Sequence, residues 1–176
     1  MTEKRALIYC SANYNIDQKF NQAAREVVRV ACLRGYTIVS GATVKGTMKT
    51  VADAVVEFGG RHRGIIPRFM KDVCYPQVDE LVWTDTMAER KEVMREGTAI
   101  AIALPGGIGT MDELMETLTL AKLGIYKGKV VAYNINHFYD PLEALLDNFV
   151  KMNTLDEKDR ALIAFPTTLE ELSELL

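Results

Sequence analysis

The chain has 176 residues, 48% of them hydrophobic and 26% charged, with a formal net charge of −3. That length supports one domain with a sizeable core, and a slightly acidic balance with no basic stripe argues against nucleic acid as a partner. No apolar run reaches the length of a membrane span, MTEKRALIYC shows no apolar leader, and three cysteines without C-x-x-C spacing make neither a disulfide framework nor a zinc site, which fits a reducing cytoplasm.

Arg5–Cys10 reads as a first buried strand and Ser11–Asn15 as a polar loop. Asp17–Arg34 carries Phe20, Ala23, Ala24, Val27, Val28 and Ala31 at helical spacing, with Gly35 just past its end. Tyr36–Val39 is a second strand, ending at Ser40-Gly41-Ala42. Thr43–Thr50 is a loop and helix start, and the helix continues through Val51, Ala54, Val55 and Phe58 to Gly59-Gly60. Gly64–Ile66 is a third strand stopped by Pro67, and Arg68–Asp79 is irregular. Glu80–Trp83 is a short fourth strand, and Thr86–Glu96 a charged helix with Met87, Val93 and Met94 as its apolar positions. Ala99–Leu104 is wholly apolar, as a strand buried on both faces of a parallel sheet should be. A turn at Pro105–Gly109 leads into a helix ending at Leu123 and capped by Gly124. Val130–Tyr133 is a strand, Tyr139–Met152 a helix and Leu162–Phe165 a last strand. Thr167–Leu176 is a short helix opening with T-x-x-E at Thr167 and Glu170.

Strands alternating with helices imply an α/β fold, a parallel sheet flanked by helices on both faces, in one domain over residues 1–176. Ligands of such sheets bind beyond the carboxyl ends of the strands. The loops 10–15, 40–47, 84–90 and 105–110 should therefore converge on one crevice.

Within that crevice Gly106, Gly107 and Gly109 leave the backbone bare just before a helix start, where unpartnered amides suit an anion, most often phosphate. The competing reading is a plain turn closed by a capping box, since Thr110 and Glu113 have T-x-x-E spacing. Gly41 belongs to a second, weaker phosphate-loop candidate, Ser40–Thr47, which lacks both G-x-G-x-x-G and the Walker pattern. Arg90, with Met87 and Lys91 beside it, offers a planar fork for a phosphate or a purine edge; alternatively it belongs to a solvated face with Glu92 and Arg95. Glu113, placed in the first helical turn, should be held ionised by the helix dipole, which suits stabilising a cation and not acting as general acid. His62 and His137 read as surface or hydrogen-bonded histidines, and no metal cluster or cofactor motif is present. Amino-acid decarboxylation would need pyridoxal phosphate on a lysine, and no lysine sits in a recognisable pocket motif.

Pro105–Glu113 matches P-G-G-x-G-T-x-x-E, and Met87–Lys91 matches M-x-x-R-K upstream. Together they resemble the LOG family of cytokinin riboside 5′-monophosphate phosphoribohydrolases, once misnamed lysine decarboxylases. Val51–Ala54, Gly64–Pro67, Ala121–Gly124 and Phe138–Leu142 extend the likeness from about Leu7 to Met152. The resemblance implies a homodimer with a Rossmann-like, three-layer fold that cleaves the N-glycosidic bond of a nucleoside 5′-monophosphate, chemistry that needs no metal or cofactor. It implies Arg90 and Glu113 as the catalytic pair, Gly106, Gly107, Gly109 and Thr110 around the phosphate, and Met87 and Lys91 near base or phosphate.

Two departures stand out. Ala42 replaces the third glycine, and Lys49 the last, of the family's G-G-G-x-x-G-L-M-G loop, while Ser11–Asn13 replaces part of C-G-S-S. Both are expected to add bulk on the nucleotide wall. They motivate an alternative, a non-catalytic carrier of a nucleotide or of molybdenum cofactor. Met87, Met94, Met111 and Met115 suggest a two-fold interface across the charged helix and the helix after Gly109.

Overall fold

The computed structural model describes residues 3–176; Met1 and Thr2, the start of the stretch inspected for a leader, lie outside the described residues. Seven strands form one sheet: β1 (Arg5–Tyr9), β2 (Thr37–Ser40), β3 (Arg61–Pro67), β4 (Glu80–Thr84), β5 (Ile100–Ala103), β6 (Lys129–Ala132) and β7 (Ile163–Ala164). Every pairing is parallel, and the order is β4-β3-β2-β1-β5-β6-β7. The chain winds outward from β1 to β4 and then returns to the other side of β1 at β5. The order therefore reverses between β1 and β5, where Tyr9 stands level with Ala103. This is a doubly wound, Rossmann-like arrangement, and its crevice opens at that reversal.

The helices are α1 (Gln18–Leu33), α2 (Gly46–Glu57), α3 (Met87–Arg95), α4 (Ile108–Lys122), α5 (Asp140–Lys151), α6 (Glu157–Arg160) and α7 (Leu169–Leu175). Alternate strand residues feed two separate cores. Ala6, Ile8, Ile38, Ile100 and Ile102 pack with Val27, Val28, Val51 and Val55 of α1 and α2 and Leu172 of α7. Leu7, Tyr9, Val39, Ile65, Ala101 and Ala103 pack with Met94, Leu114, Leu118, Leu142 and Leu146 of α3, α4 and α5. Sheet residues buried on both faces explain why the strand sequences are continuously apolar and not alternating. Each fully buried Leu, Ile or Val contributes about 1.5–3 kcal/mol of hydrophobic stabilisation. No helix among the described residues is long and apolar enough to cross a membrane.

Several sequence expectations need correction. The segment Glu157–Arg160, to which the sequence assigned no element, forms a helical turn, and Ile135–His137, likewise unassigned, forms a 3₁₀ turn with Asn136 and His137 at positive φ. The capping box of α7 is set one residue later than T-x-x-E at Thr167 suggested: Thr168 accepts from the Glu171 amide, and the Glu171 carboxylate reaches back to the Thr168 amide. Met94 is core, Met111 and Met115 pack half-buried against the same cluster, and Met87 is exposed, so the four methionines do not share one setting. Met111 and Met115 flank the inward face that Leu114 and Leu118 give α4.

Candidate active site

Loops from the carboxyl ends of the strands meet in one cleft of about 350 Å³. Ser11–Asn13 comes from the β1 loop, Thr43 and Lys45 from β2, Met87 and Arg90 from α3, and Gly107, Gly109, Thr110, Asp112 and Glu113 from α4. The cleft also takes Met70, from the 3₁₀ turn Arg68–Val73 after β3. In the sequence that segment reads as irregular, although it too follows the carboxyl end of a strand, which is the signal that includes it.

Two buried charged groups lie at its base. Thr86 caps α3, accepting from the Glu89 amide, and α3 then drives Arg90 inward. Arg90 is 3% exposed; its Nε donates to the Ile65 carbonyl at 3.1 Å and its Nη2 to the Gly41 carbonyl at 3.3 Å. Its Nη1 stands 3.8 Å from Glu113 Oε1. Arg90 is thus not part of a solvated face, and neither is Arg95, which is buried and paired with Glu116 at 2.8 Å. At 3.8 Å the Arg90–Glu113 contact is an ion pair without a direct hydrogen bond, so both groups keep bonding capacity toward the cleft.

Glu113 departs from its expected setting. Helix α4 starts at Ile108 with Gly107 as N-cap, so Thr110 is already the third helical residue and Thr110–Glu113 is not a capping box. Glu113 lies in the second turn, 5% exposed, and α4 is locked against β1 because Tyr9 bonds Thr117, whose hydroxyl donates to the Glu113 carbonyl. Burial pushes the Glu113 carboxyl up from 4.5 to about 7, against the pull of Arg90. The expectation of a firmly ionised group fails, because loss of water outweighs the dipole one turn into a helix. Burial presses Arg90 downward, with Glu113 opposing, yet a guanidinium remains charged at ordinary pH. Cys10 also lines the floor, and burial, with Glu113 adding to it, pushes its thiol well above the usual range, which leaves no thiolate nucleophile.

The glycines divide into two sets. A methyl at Gly107 or Gly109 would meet nothing within 4 Å, so these two expose bare backbone to open space in the cleft. A methyl at Gly106 would strike the Thr110 side chain, and one at Gly41 would overlap the Arg90 guanidinium. Gly106, Gly41 and Lys91 are therefore not brought to the lining with the others. Lys91 is tied to Asp112 at 2.9 Å and to Glu116 at 2.5 Å, bridging α3 and α4. At the second glycine loop, Gly46 abuts the Ala12–Asn13 backbone and the Met48 amide donates to the Ser11 carbonyl at 3.3 Å, so protein occupies that helix start.

The two departures separate as well. The Ala42 methyl is fully buried over Gly64, and Lys49 points outward to Asp53 at 2.6 Å. Neither adds bulk to the cleft; Ser11 and Asn13 do line it.

A family model described as "Possible lysine decarboxylase" matches residues 48–176. The "Cytokinin riboside 5′-monophosphate phosphoribohydrolase LOG" of Oryza sativa subsp. japonica is 36% identical over 96% of this chain and 71% of its own length. An Arabidopsis thaliana protein of the same printed function is 30% identical over 98% of this chain and 82% of its own. Among solved structures, the molybdenum cofactor binding protein of Rippkaea orientalis superposes with a TM-score of 0.76 at 18% identity, covering 99% of this chain and 96% of that one. The molybdenum cofactor carrier protein of Chlamydomonas reinhardtii gives 0.75 at 16%, covering 98% and 95%. At such identities these structures share the fold alone, whereas the sequence relatives and the P-G-G-x-G-T-x-x-E and M-x-x-R-K segments, now found around one cleft, carry the assignment: the chain belongs to the LOG family.

Proposed function

We propose that this chain hydrolyses the N-glycosidic bond of a nucleoside 5′-monophosphate, AMP or a cytokinin riboside monophosphate, to free base and ribose 5-phosphate. The observation that carries the reading is the buried Arg90–Glu113 pair, facing the bare start of α4 across one cleft. The first amides of α4, over Gly107, Gly109 and Thr110, have no intrahelical acceptors and suit the 5′-phosphate. Gly106 serves by seating Thr110, and Gly41 by seating Arg90. Lys91 acts at one remove, by holding Asp112. Met87 and Met70 give the opposite wall an apolar surface for the base.

In the reaction, water oxygen bonds to C1′ while the C1′–N bond breaks, the electron pair leaving with the base and the water proton compensating it. Positive charge builds on the ribose ring, and the Glu113 carboxylate, in a site of low dielectric, stabilises it. Arg90 keeps Nη1 hydrogens for the ligand because its other bonds go to fixed carbonyls. The chain needs no metal or cofactor for these steps. One ground for the carrier alternative, bulk added at Ala42 and Lys49, falls away because both lie off the cleft, and a carrier has less need of a carboxylate like Glu113 beside a phosphate.

We also propose one domain over residues 1–176, a cytoplasmic setting in keeping with three free cysteines, and a homodimer. Exposed Ile108, Leu123 and Ile125, at the two ends of α4, support the last. Sedimentation showing a monomer at micromolar concentration would contradict the homodimer.

The test of the activity is incubation with AMP, isopentenyl-adenosine monophosphate and other nucleoside monophosphates; free base from none of them overturns it. Glu113→Gln should lower kcat by about 10² while nucleotide still binds. Because the ionised form works and its pKa lies near 7, kcat should fall as pH drops through about 7, in step with uptake of the Glu113 proton. Survival of that limb in the Gln variant removes Glu113 from the role.

A further inference from the structure

His62 lies in the interior of β3, 1% exposed, outside the cleft and untouched by the chemistry above. Its Nε2 is 2.8 Å from Ser40 Oγ. Ser40 Oγ in turn accepts the Ala42 amide at 3.1 Å. Ala42 holds a left-handed conformation, φ 47°, which an alanine adopts only when its surroundings impose it. Between Ser40 and Ala42 lies Gly41, whose carbonyl receives Arg90 Nη2 and whose missing side chain makes room for the guanidinium.

The cost of the histidine is visible. Its Nδ1 is buried with no hydrogen-bond partner among the described residues, and an orphaned polar atom inside a strand disfavours folding where a leucine would not. Burial holds the ring well below its usual range, at about 4, despite Asp79 beside its backbone amide, so the ring is neutral. What the neutral ring supplies is one bond, to Ser40.

We propose that His62 and Ser40 are positioning residues for Arg90: the ring fixes the Ser40 hydroxyl, the hydroxyl fixes the left-handed turn at Ala42, and the turn presents the Gly41 carbonyl to the guanidinium. The catalytic consequence rests on the hydrolase reading; the positioning does not.

The two are separated by two measurements on the full chain. The first needs neither ligand nor turnover. The Arg90 Nε–H, bonded to the Ile65 carbonyl, should give a slowly exchanging nitrogen-15 NMR signal, assigned by its loss in Arg90→Lys. Ser40→Ala and His62→Leu should speed its exchange about tenfold or more, and His62→Gln, whose amide reaches toward Ser40, should restore slow exchange. Unchanged exchange in Ser40→Ala overturns the proposal. The second is a double-mutant cycle on base release. Ser40→Ala should lower kcat about tenfold in the wild-type background and less than about twofold in Arg90→Lys. Equal losses in both backgrounds mark a merely structural effect and overturn it. Should His62→Leu fail to fold, Ser40→Ala carries both arms. If the wild type releases base from no nucleotide, the hydrolase reading fails and the exchange measurement alone decides the positioning.

Discussion

The loop after β5 and the loop after β2 carry the same kind of signal, glycines between a strand and a helix, and they do opposite things. After β5, Gly107 and Gly109 face open space. After β2, the space that Gly41 and Gly46 leave is filled by the protein itself, by the Arg90 guanidinium in one case and the Ala12–Asn13 backbone in the other. A glycine in such a turn says that something comes close to the backbone. It does not say whether that something is a ligand, a side chain or another stretch of main chain.

Four substitutions can break or sharpen this contrast, and the largest effect is expected at Gly46. Its φ is +50° and an added methyl would stand 2.6 Å from the Asn13 carbonyl oxygen, with no flexible side chain to yield. Gly46→Ala should cost about 3 kcal/mol in denaturant unfolding, from left-handed strain plus overpacking. A loss below about 1 kcal/mol would mean that the β1 and β2 loops are not packed this tightly. Gly41→Ala is next. Its methyl meets the end of a flexible side chain, Arg90, so the fold should survive while turnover drops by about 10- to 100-fold, a loss of about 1.4–2.7 kcal/mol in transition-state stabilisation. Gly107→Ala should be the inverse of Gly46→Ala, with stability within about 0.5 kcal/mol and KM for nucleotide raised about tenfold where backbone and phosphate can no longer close. An unchanged KM would place the ligand elsewhere. The smallest effect belongs to Ala42→Gly: relief of left-handed strain should be offset by added chain entropy and a lost buried methyl, for a net change under about 1 kcal/mol.

Much of the architecture was legible because it rests on burial pattern. The continuous runs at Ala6–Tyr9 and Ile100–Ala103 mark strands covered on both faces, and the loop-convergence rule anticipated one crevice, in which Arg90 and Glu113, 23 positions apart in sequence, stand at 3.8 Å. What failed depends on tertiary detail. The start of α4 at Ile108 could not be read from T-x-x-E, which also matches a segment already inside a helix. The carboxyl of Glu113 rises because the folded chain buries it away from water, and no local spacing encodes that. Ala42 looked like bulk in the cleft because the sequence does not tell which way a left-handed residue points its methyl. The turn at Glu157–Arg160 has four residues and no apolar period to find.

The acceptors that hold Arg90 are both main-chain carbonyls, of Ile65 and Gly41. A carbonyl is supplied by whatever residue occupies its position, so no side-chain replacement at Ile65 can delete that bond; only a change in the course of the backbone can. The grip on the guanidinium is therefore buffered against mutation except where a residue sets the path of the backbone, as Gly41 does and as Ser40 and His62 are proposed to do. Such buffering lets the surrounding loop drift, and it explains how a chain can carry Ala42 and Lys49 in place of family glycines while the charged pair beneath keeps its geometry.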